Sequence, residues 1–327
     1  KAVADAKAAD TPEKRRGVGI AWGGFNVTEG GGDSAEVALE LMPGNKIRKY
    51  DTWHAMGQGA TTGSLVVTLE ALKEMHLTPE DIQLIQNDTK TCPDTGMAVA
   101  SRSLYMDGNA TIIAANKLLA AMRKEDGTLR TYDEMKAEGI ETKYLGRYET
   151  NTTPGLCRLD PNTGIGDPTP AFTYCLNLAE VEVDTKTGKT TVLKFTCVDF
   201  VGRIGNIDAV NGQAYSGIMH GIGFALKEDY ADVKKHANMF GAGTSYIKDV
   251  PDDINLIHID GAISDGPFGS SGASEAFQAS GHCAVLNGIY NACGVRIHEI
   301  PALPEKVKAG LDAIAKGEKP YEPKKYF

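Results

Sequence analysis

The chain has 327 residues, 42% hydrophobic and 24% charged, with a formal net charge of −9. That length suits one large or two medium globular domains with a substantial buried core. An acidic chain without a basic stripe is a poor match for nucleic acid, and no apolar run reaches the length of a membrane span.

The opening "KAVADAKAADTPEKRRG" is polar and rich in Ala and Lys, so residues 1–13 read as the tail of a helix and a linker. This fits a chain that is part of a larger polypeptide or one subunit of a split one; no signal peptide is visible. Ser34 to Leu41 alternates as a strand, and "MPGNK" turns it back into Ile47 to Trp53. The loop "HAMGQGATTG" feeds a helix from about Ser64 to Glu74. Thr78 with Asp81 has capping-box spacing, followed by the strand "IQLIQ". The loop "NDTKTCPDTGMAVASRS" leads into a helix running through Ile112 to Arg123. Thr131 and Glu134 repeat the capping-box spacing, and Gly139 closes that short helix.

Residues 150–171 are rich in Gly, Pro, Asn and Thr and read as a crossing segment between two halves, 14–150 and 151–327. "LAEVEVDTKTGKTTVLKFTCV" then alternates about Asp-x-x-x-Gly as a hairpin. The loop "DFVGRIGNIDAVNG" precedes a predicted helix from about Gln213 to Lys227, and Ile254 to Ile259 reads as a strand. "GPFGSSGASEAF" leads into a helix ending near Gly294, and Pro304 opens a last helix at its first turn. The halves resemble each other. Residues 35–53 match 179–197 in pattern, and each hairpin is followed by a Gly-rich loop and a helix. That suggests duplication of one hairpin–loop–helix unit, and an α+β fold with mixed sheets and helices packed against them.

Six cysteines, Cys92, Cys157, Cys175, Cys197, Cys283 and Cys293, lie far apart without a CxxC pair. This argues for a reducing cytoplasm rather than a disulfide scaffold, and against an iron–sulfur cluster on this chain. The seven histidines show no zinc-type spacing. No GxSxG, Walker loop or strand–GxGxxG–helix unit occurs.

Four loops share one pattern of small residues, few charges and a helix just downstream: "MGQGATTG", "CPDTGMAVASRS", "NGQAYSG" and "GSSGASE". A helix start offers unpaired N–H groups and a partial positive charge, so four such ends could cradle an anionic ligand. Ordinary capping explains any one of them, but does not require Gln58 and Gln213 in two. Glu275 follows the most glycine- and serine-rich loop, which holds Gly272. It is either a first-turn carboxylate favoured by the dipole or a general base at a glycine-lined cavity. A helix start holds carboxylate pKa values down, so base work near neutral pH asks for desolvation to raise them.

"KRRGVGIAWGGFNV", "MGQGATTG", "NDTKTCPDTGMAVASRS", "NGQAYSGIMHGIG" and "GPFGSSGASEAF…NACGVRIHEIPALPEKVKAG", in this order, resemble the second molybdenum-binding domain of the xanthine oxidase family. Within it they are most similar to the bacterial molybdenum aldehyde oxidoreductases, from about Lys14 to Leu311. The resemblance implies a molybdenum held by the dithiolene of a molybdopterin, in bacteria as its cytosine dinucleotide, so no metal ligand comes from the side chains. It implies that Gln58, between Gly57 and Gly59, approaches the metal's oxo or sulfido group. It implies that Ala98, Val99, Ala100, Ser101, Arg102 and Ser103, with Gln213 and Gly272, hold the pterin, and that Glu275 is the catalytic base. In that family the base assists attack of a metal-bound hydroxide on an aldehyde carbon, and hydride passes to the metal's sulfido or oxo ligand, giving a carboxylate.

The resemblance also implies partners. The first molybdenum domain and the [2Fe–2S] domains, with FAD as a further candidate, would sit on other domains or subunits, in an oligomeric enzyme. His54 is a weak candidate for the substrate pocket, as are the aromatics Trp22, Phe25 and Trp53, for which core packing is the plainer reading. The alternatives are a molybdenum hydroxylase of an N-heterocycle, of purine or nicotinate type, and a non-catalytic scaffold; Gln58, Gln213 and Glu275 together speak against the last.

Overall fold

The structure, a computed structural model, describes residues 1–28, 32–150, 160, 162–166 and 169–319. Alternating buried and exposed side chains set the strands, and two four-stranded sheets result. The chain runs α1 (Ala2–Ala8), β1 (Lys14–Val27), β2 (Ser34–Met42), β3 (Lys46–Asp51), α2 (Ala60–Ala71), β4 (Ile82–Gln86) and α3 (Arg102–Met122). It continues through α4 (Tyr132–Ala137), β5 (Lys143–Glu149), β6 (Ala171–Asp184), β7 (Thr190–Phe200) and α5 (Ile207–Leu226). The last elements are α6 (Met239–Ala242), β8 (Asp253–His258), α7 (Gly281–Cys293) and α8 (Pro304–Ala315).

The sheets are ordered β4-β3-β2-β5 and β1-β6-β7-β8. In each, a hairpin forms the centre, a helix crosses back, and the next strand joins the second hairpin strand in parallel. The fourth strand pairs antiparallel with the first hairpin strand. The duplicated unit read from the sequence is therefore present, extended by a strand and a second helix. The boundary drawn at residue 150 does not follow the sheets, however. β1 lies in the N-terminal stretch but pairs with β6 along its whole length. Its four glycines hid it from a reading based on strand propensity. The proposed crossing segment, with Cys157, falls largely outside the described residues.

Those glycines let a helix touch the sheet. A Cβ on Gly19 would stand 2.0 Å from the Ala284 carbonyl oxygen and 2.1 Å from the Gly288 nitrogen of α7. On the other sheet, a Cβ on Gly146 of β5 would stand 2.0 Å from the Ala110 carbonyl oxygen of α3. The same device thus seats the second helix of each unit. Gly19→Ala should cost roughly 1–3 kcal/mol through overpacking. A urea midpoint no lower than that of the parent assembly would refute this seating of α7.

The cores follow the layers. Phe195, Ile218, Phe277, Val285 and Ile289 fill the space between the β1–β8 sheet, α5 and α7. Leu39, Leu41, Ile47, Leu118 and Met135 do the same under α3. Residues 1–13 are more than a linker, since Lys7 of α1 donates to the Asn291 and Ala292 carbonyls at 2.6 and 3.1 Å, capping α7. Both capping boxes form, at Thr78–Asp81 and Thr131–Glu134. No helix among the described residues is long and apolar enough to cross a membrane.

Besides α2, which runs Ala60–Ala71 rather than from about Ser64 to Glu74, two helix starts differ from the sequence reading, and both bear on the site. Helix α5 begins at Ile207, where the Asn206 side chain accepts from the Ala209 N–H at 3.1 Å. Gln213 is therefore in the second turn, and Gly212 is an interior helix glycine. Glu275 does not open α7. It starts a separate 3₁₀ turn, Glu275–Gln278, while α7 begins at Gly281. The chain breaks there so that Ala276 and Phe277 can drop into the core. Phe277 then wedges against Gly217 of α5, where a Cβ would meet the Phe277 Cβ at 2.5 Å.

Candidate active site

A cavity of about 660 Å³ lies where the starts of α2, α3 and α5 meet the loop after β8. That size suits a large organic ligand. Gln58 and Gly59 reach it from the α2 end, and Ala98, Val99, Ser101 and Ser103 from the α3 end. Gln213 reaches it from α5, and Gly272 and Glu275 from the last loop. The structure therefore brings together most of the residues that the sequence pattern singled out.

The loop at Ala98–Ser103 is held by strain and by one cation. Ala100 and Ser101 are both left-handed, with φ of 47° and 50°, a conformation that non-glycine residues take only when surroundings impose it. Arg102 imposes it. Its Nε and Nη2 donate to the Asp33 carboxylate at 2.6 and 2.8 Å. Its remaining donors go to the carbonyls of Thr95, Met97 and Ser34 at 3.1, 2.7 and 3.0 Å. A guanidinium has five N–H donors, so all are used inside the protein. Gly96 faces this group, and a Cβ there would lie 2.7 Å from Nη1. Arg102 and Ala100 thus shape the loop without lining the cavity.

The loop at 270–275 closes against this one. A Cβ on Gly272 would stand 1.7 Å from the Ser101 carbonyl oxygen, so only glycine fits. The half-buried Glu275 carboxylate accepts from the Ser101 hydroxyl through Oε2, and from the Ser101 N–H through Oε1 at 3.4 Å. Ser271 lines the cavity, and its buried Oγ has no hydrogen-bond partner. Such an orphan is costly unless a ligand satisfies it.

Gln58 is tied to its own loop. Its Nε2 donates to the His54 carbonyl at 2.7 Å, and its Oε1 accepts from the Met56 N–H at 2.5 Å. One N–H and one lone pair remain for a ligand. Gly57 has open space around its Cβ position and does not line the cavity. His54 is exposed and contributes its carbonyl, not its ring, to this arrangement. Trp53 is buried and lines the cavity, Phe25 packs on the core, and Trp22 lies outside the cavity.

Sequence reasoning missed Arg203, Asn206, Phe268 and Ser271 as cavity residues. Gly202 and Gly205 flank Arg203 in the loop after a strand, the same signal that marked Gln58, and it was available. Helix α5 is fixed from behind by His258, which bonds Asp199 of β7 and Asn211 of α5, both at 2.8 Å. Burial pushes the Asp199 carboxyl up, and the His258 ring opposes this.

Among the described residues, no three His, Cys, Asp or Glu side chains gather as a metal-ligand set. What the cavity offers is amide, hydroxyl and backbone groups, the Arg203 guanidinium, and the carboxylates of Glu70 at its edge on α2 and Glu275 in the last loop. That set suits a large polar ligand that brings its own metal ligands.

The family model of the molybdopterin cofactor-binding domain matches residues 1–251. The aldehyde oxidoreductase of Megalodesulfovibrio gigas is 39% identical over 312 residues, which is 95% of this chain and 34% of that protein. The crystal structure of the aldehyde oxidoreductase from Desulfovibrio desulfuricans superposes with a TM-score of 0.89 at 42% identity, covering 93% of this chain and 33% of that one. A probable hypoxanthine oxidase of Escherichia coli is 28% identical, over 80% of this chain and 29% of its own length. The chain spans about a third of the length of these relatives.

Proposed function

The chain belongs to the molybdopterin cofactor-binding domain family, within the xanthine oxidase family, and from this we propose that it is the cofactor-holding, base-carrying part of a molybdenum-dependent aldehyde oxidoreductase. One observation carries the reading. Glu275 stands in one cavity with Gln58, Ser101, Ser103 and Gln213, brought together from four separate segments of the chain.

The residues present fit a molybdopterin. Ser271 supplies an orphaned buried hydroxyl, and Gly272 supplies close backbone approach. Gln58, Ser101, Ser103 and Gln213 would hold the pterin, and Arg203 and Asn206, which line the same cavity, would offer a cation and an amide to a phosphate. When bound, the molybdenum cofactor supplies a two-electron oxidant and an oxygen donor. Overall, an aldehyde and water become a carboxylic acid, two electrons and two protons.

The chain's own part is positional and protonic. Glu275 takes up a proton as oxygen is delivered to the carbonyl carbon. Ser101 orients that carboxylate from its side chain and its N–H. Trp53, Val66 and Val67 give the cavity an apolar flank that limits water. A first molybdenum domain, [2Fe–2S] clusters and, in some arrangements, FAD belong to the remaining parts of such an enzyme. A second reading, hydroxylation of a purine-type heterocycle, draws on the E. coli relative.

The purified assembly should contain about one molybdenum per copy of this chain and release cytidine monophosphate on acid hydrolysis. It should oxidise aldehydes, not hypoxanthine, with a dye acceptor. Molybdenum-free assembly ends the reading, and hypoxanthine turnover without aldehyde turnover selects the second.

A further inference from the structure

The outward face of the β1-β6-β7-β8 sheet changes character halfway along its strands. Strand alternation places Lys14, Arg16, Glu180, Glu182, Lys194 and Asp253 on one end of this face. Five of these are ion-paired there, Lys14 and Arg16 to Glu182 at 2.6 and 2.9 Å and Lys194 to Asp253 at 2.9 Å. That end is built as an antiparallel sheet facing water is built.

The other end of the same face carries no charge. Ile20 and Trp22 of β1 are 55% and 66% exposed, and Ile257 of β8 is 43% exposed. Phe172 and Leu176 of β6 are exposed between them. Trp22 stacks on Tyr174 at 5.5 Å between ring centres, and Phe172 stacks on Tyr174 at 6.2 Å. Gly24 makes room for this stack, since a Cβ there would lie 3.1 Å from the Tyr174 ring. The charged end is an internal control, showing what this sheet does where water is its neighbour. A contiguous apolar patch with stacked aromatics is the composition of an interface core.

The patch is also continuous with the cavity wall. β7 carries Val198 and Phe200 outward, and the residues that follow, Val201 and Arg203, line the cavity. A polypeptide seated on the patch therefore reaches the cavity rim. The relatives are about three times as long as the matched region, so most of their length lies outside it.

We propose that the apolar end of this sheet face, centred on Trp22, Tyr174 and Phe172, is the docking surface for the remaining polypeptide of the same molybdenum enzyme, which meets it with an uncharged aliphatic and aromatic surface. This rests on the reading of the chain as one part of such an enzyme.

The test uses the full assembly, with Trp22→p-benzoylphenylalanine as a photo-crosslinking variant. The ring is exposed on this chain, so folding is not at stake. Crosslinked peptides from the remaining polypeptide support the proposal. Crosslinks between a ¹⁴N-labelled and a ¹⁵N-labelled copy of this chain, or no crosslink at all, overturn it. Hydroxyl-radical footprinting gives a second readout, in which Trp22 should oxidise at least tenfold more slowly in the native assembly than in the same assembly unfolded in urea. Equal rates also overturn it. Neither readout needs bound molybdenum. A crosslinked but molybdenum-free assembly would sink the enzymatic reading and leave the surface standing, and a loaded assembly without the crosslink would do the reverse.

Discussion

Glu275→Gln should leave molybdenum and pterin content unchanged and lower aldehyde turnover by about 10²–10⁴-fold, the range for a lost general base. At 1.36 kcal/mol per tenfold this is about 3–5 kcal/mol of barrier. The exchange isolates proton transfer. A glutamine has the same length; its Oε1 can still accept from the Ser101 N–H, and its Nε2 can donate to the Ser101 hydroxyl oxygen, which now donates to Glu275, so the loop should keep its shape. What it lacks is basicity. The loss should fall on kcat, with KM little changed. Glu275→Asp keeps the charge but withdraws it by one methylene, and should recover part of the rate. A Glu275→Gln enzyme that turns over normally while loaded with cofactor would remove Glu275 from the reaction.

The fold and the site were legible to different degrees, for physical reasons. Hairpins with strict alternation, such as 34–51 and 178–198, could be read because one face of each strand is buried. Strand β1 could not, because Gly17, Gly19, Gly23 and Gly24 lower strand propensity for the sake of contact with α7 and the aromatic stack, and that contact is visible only in three dimensions. Strand β5 escaped for a similar reason, with Gly146 at its centre. The cavity residues Gln58, Ser101, Gln213, Gly272 and Glu275 were legible as loops, but their convergence depends on which strands pair. Arg102 shows the limit of reading a motif as a ligand contact. It sits inside the pterin-like loop, yet all its donors serve the fold. Trp22, weighed as pocket lining, instead marks an open sheet face.

The two units also share a polar device that no periodicity reveals. At the end of β7, Asp199 is held by His258 of β8; at the end of β3, Asp51 is held by Gln86 of β4 at 2.9 Å. Each pair ties the parallel strand to the hairpin just below the cavity, and in each a crossing helix joins in, through Asn211 and Ser64. Helix α2, which follows the Gln58 loop, and helix α5, which carries Gln213, are thus located by buried carboxylates rather than by apolar packing alone. A buried hydrogen-bonded carboxylate specifies register more narrowly than a methyl group.

The larger of these polar clusters should fail badly when its single cation is removed. Lys49, Asp51 and Asp107 are all fully buried. Lys49 Nζ lies 2.7 Å from Asp107 Oδ1 and 3.3 Å from Asp51 Oδ2. Asp51 also accepts from Ser64 at 2.7 Å, whereas Asp107 Oδ2 has no partner. One ammonium serves two carboxylates, so burial, opposed by Lys49 and helped by Asp51, pushes the Asp107 carboxyl up to about 6. An unfolded Asp titrates near 3.9, so the native state binds this proton more tightly than the unfolded one. Its stabilising effect is therefore complete below about pH 4 and is lost as pH rises through about 6, a change of about 3 kcal/mol at 1.36 kcal/mol per pH unit. Lys49→Met leaves both carboxylates buried without a counter-charge and should cost about 3–5 kcal/mol at pH 8. At pH 5 the cost should be smaller, because Asp107 is then neutral. Asp107→Asn should flatten the decline between pH 4 and 6 without such a penalty. Urea midpoints at pH 5 and pH 8 read both effects, and a Lys49→Met loss equal at the two pH values would mean that Asp107 does not carry the titrating proton.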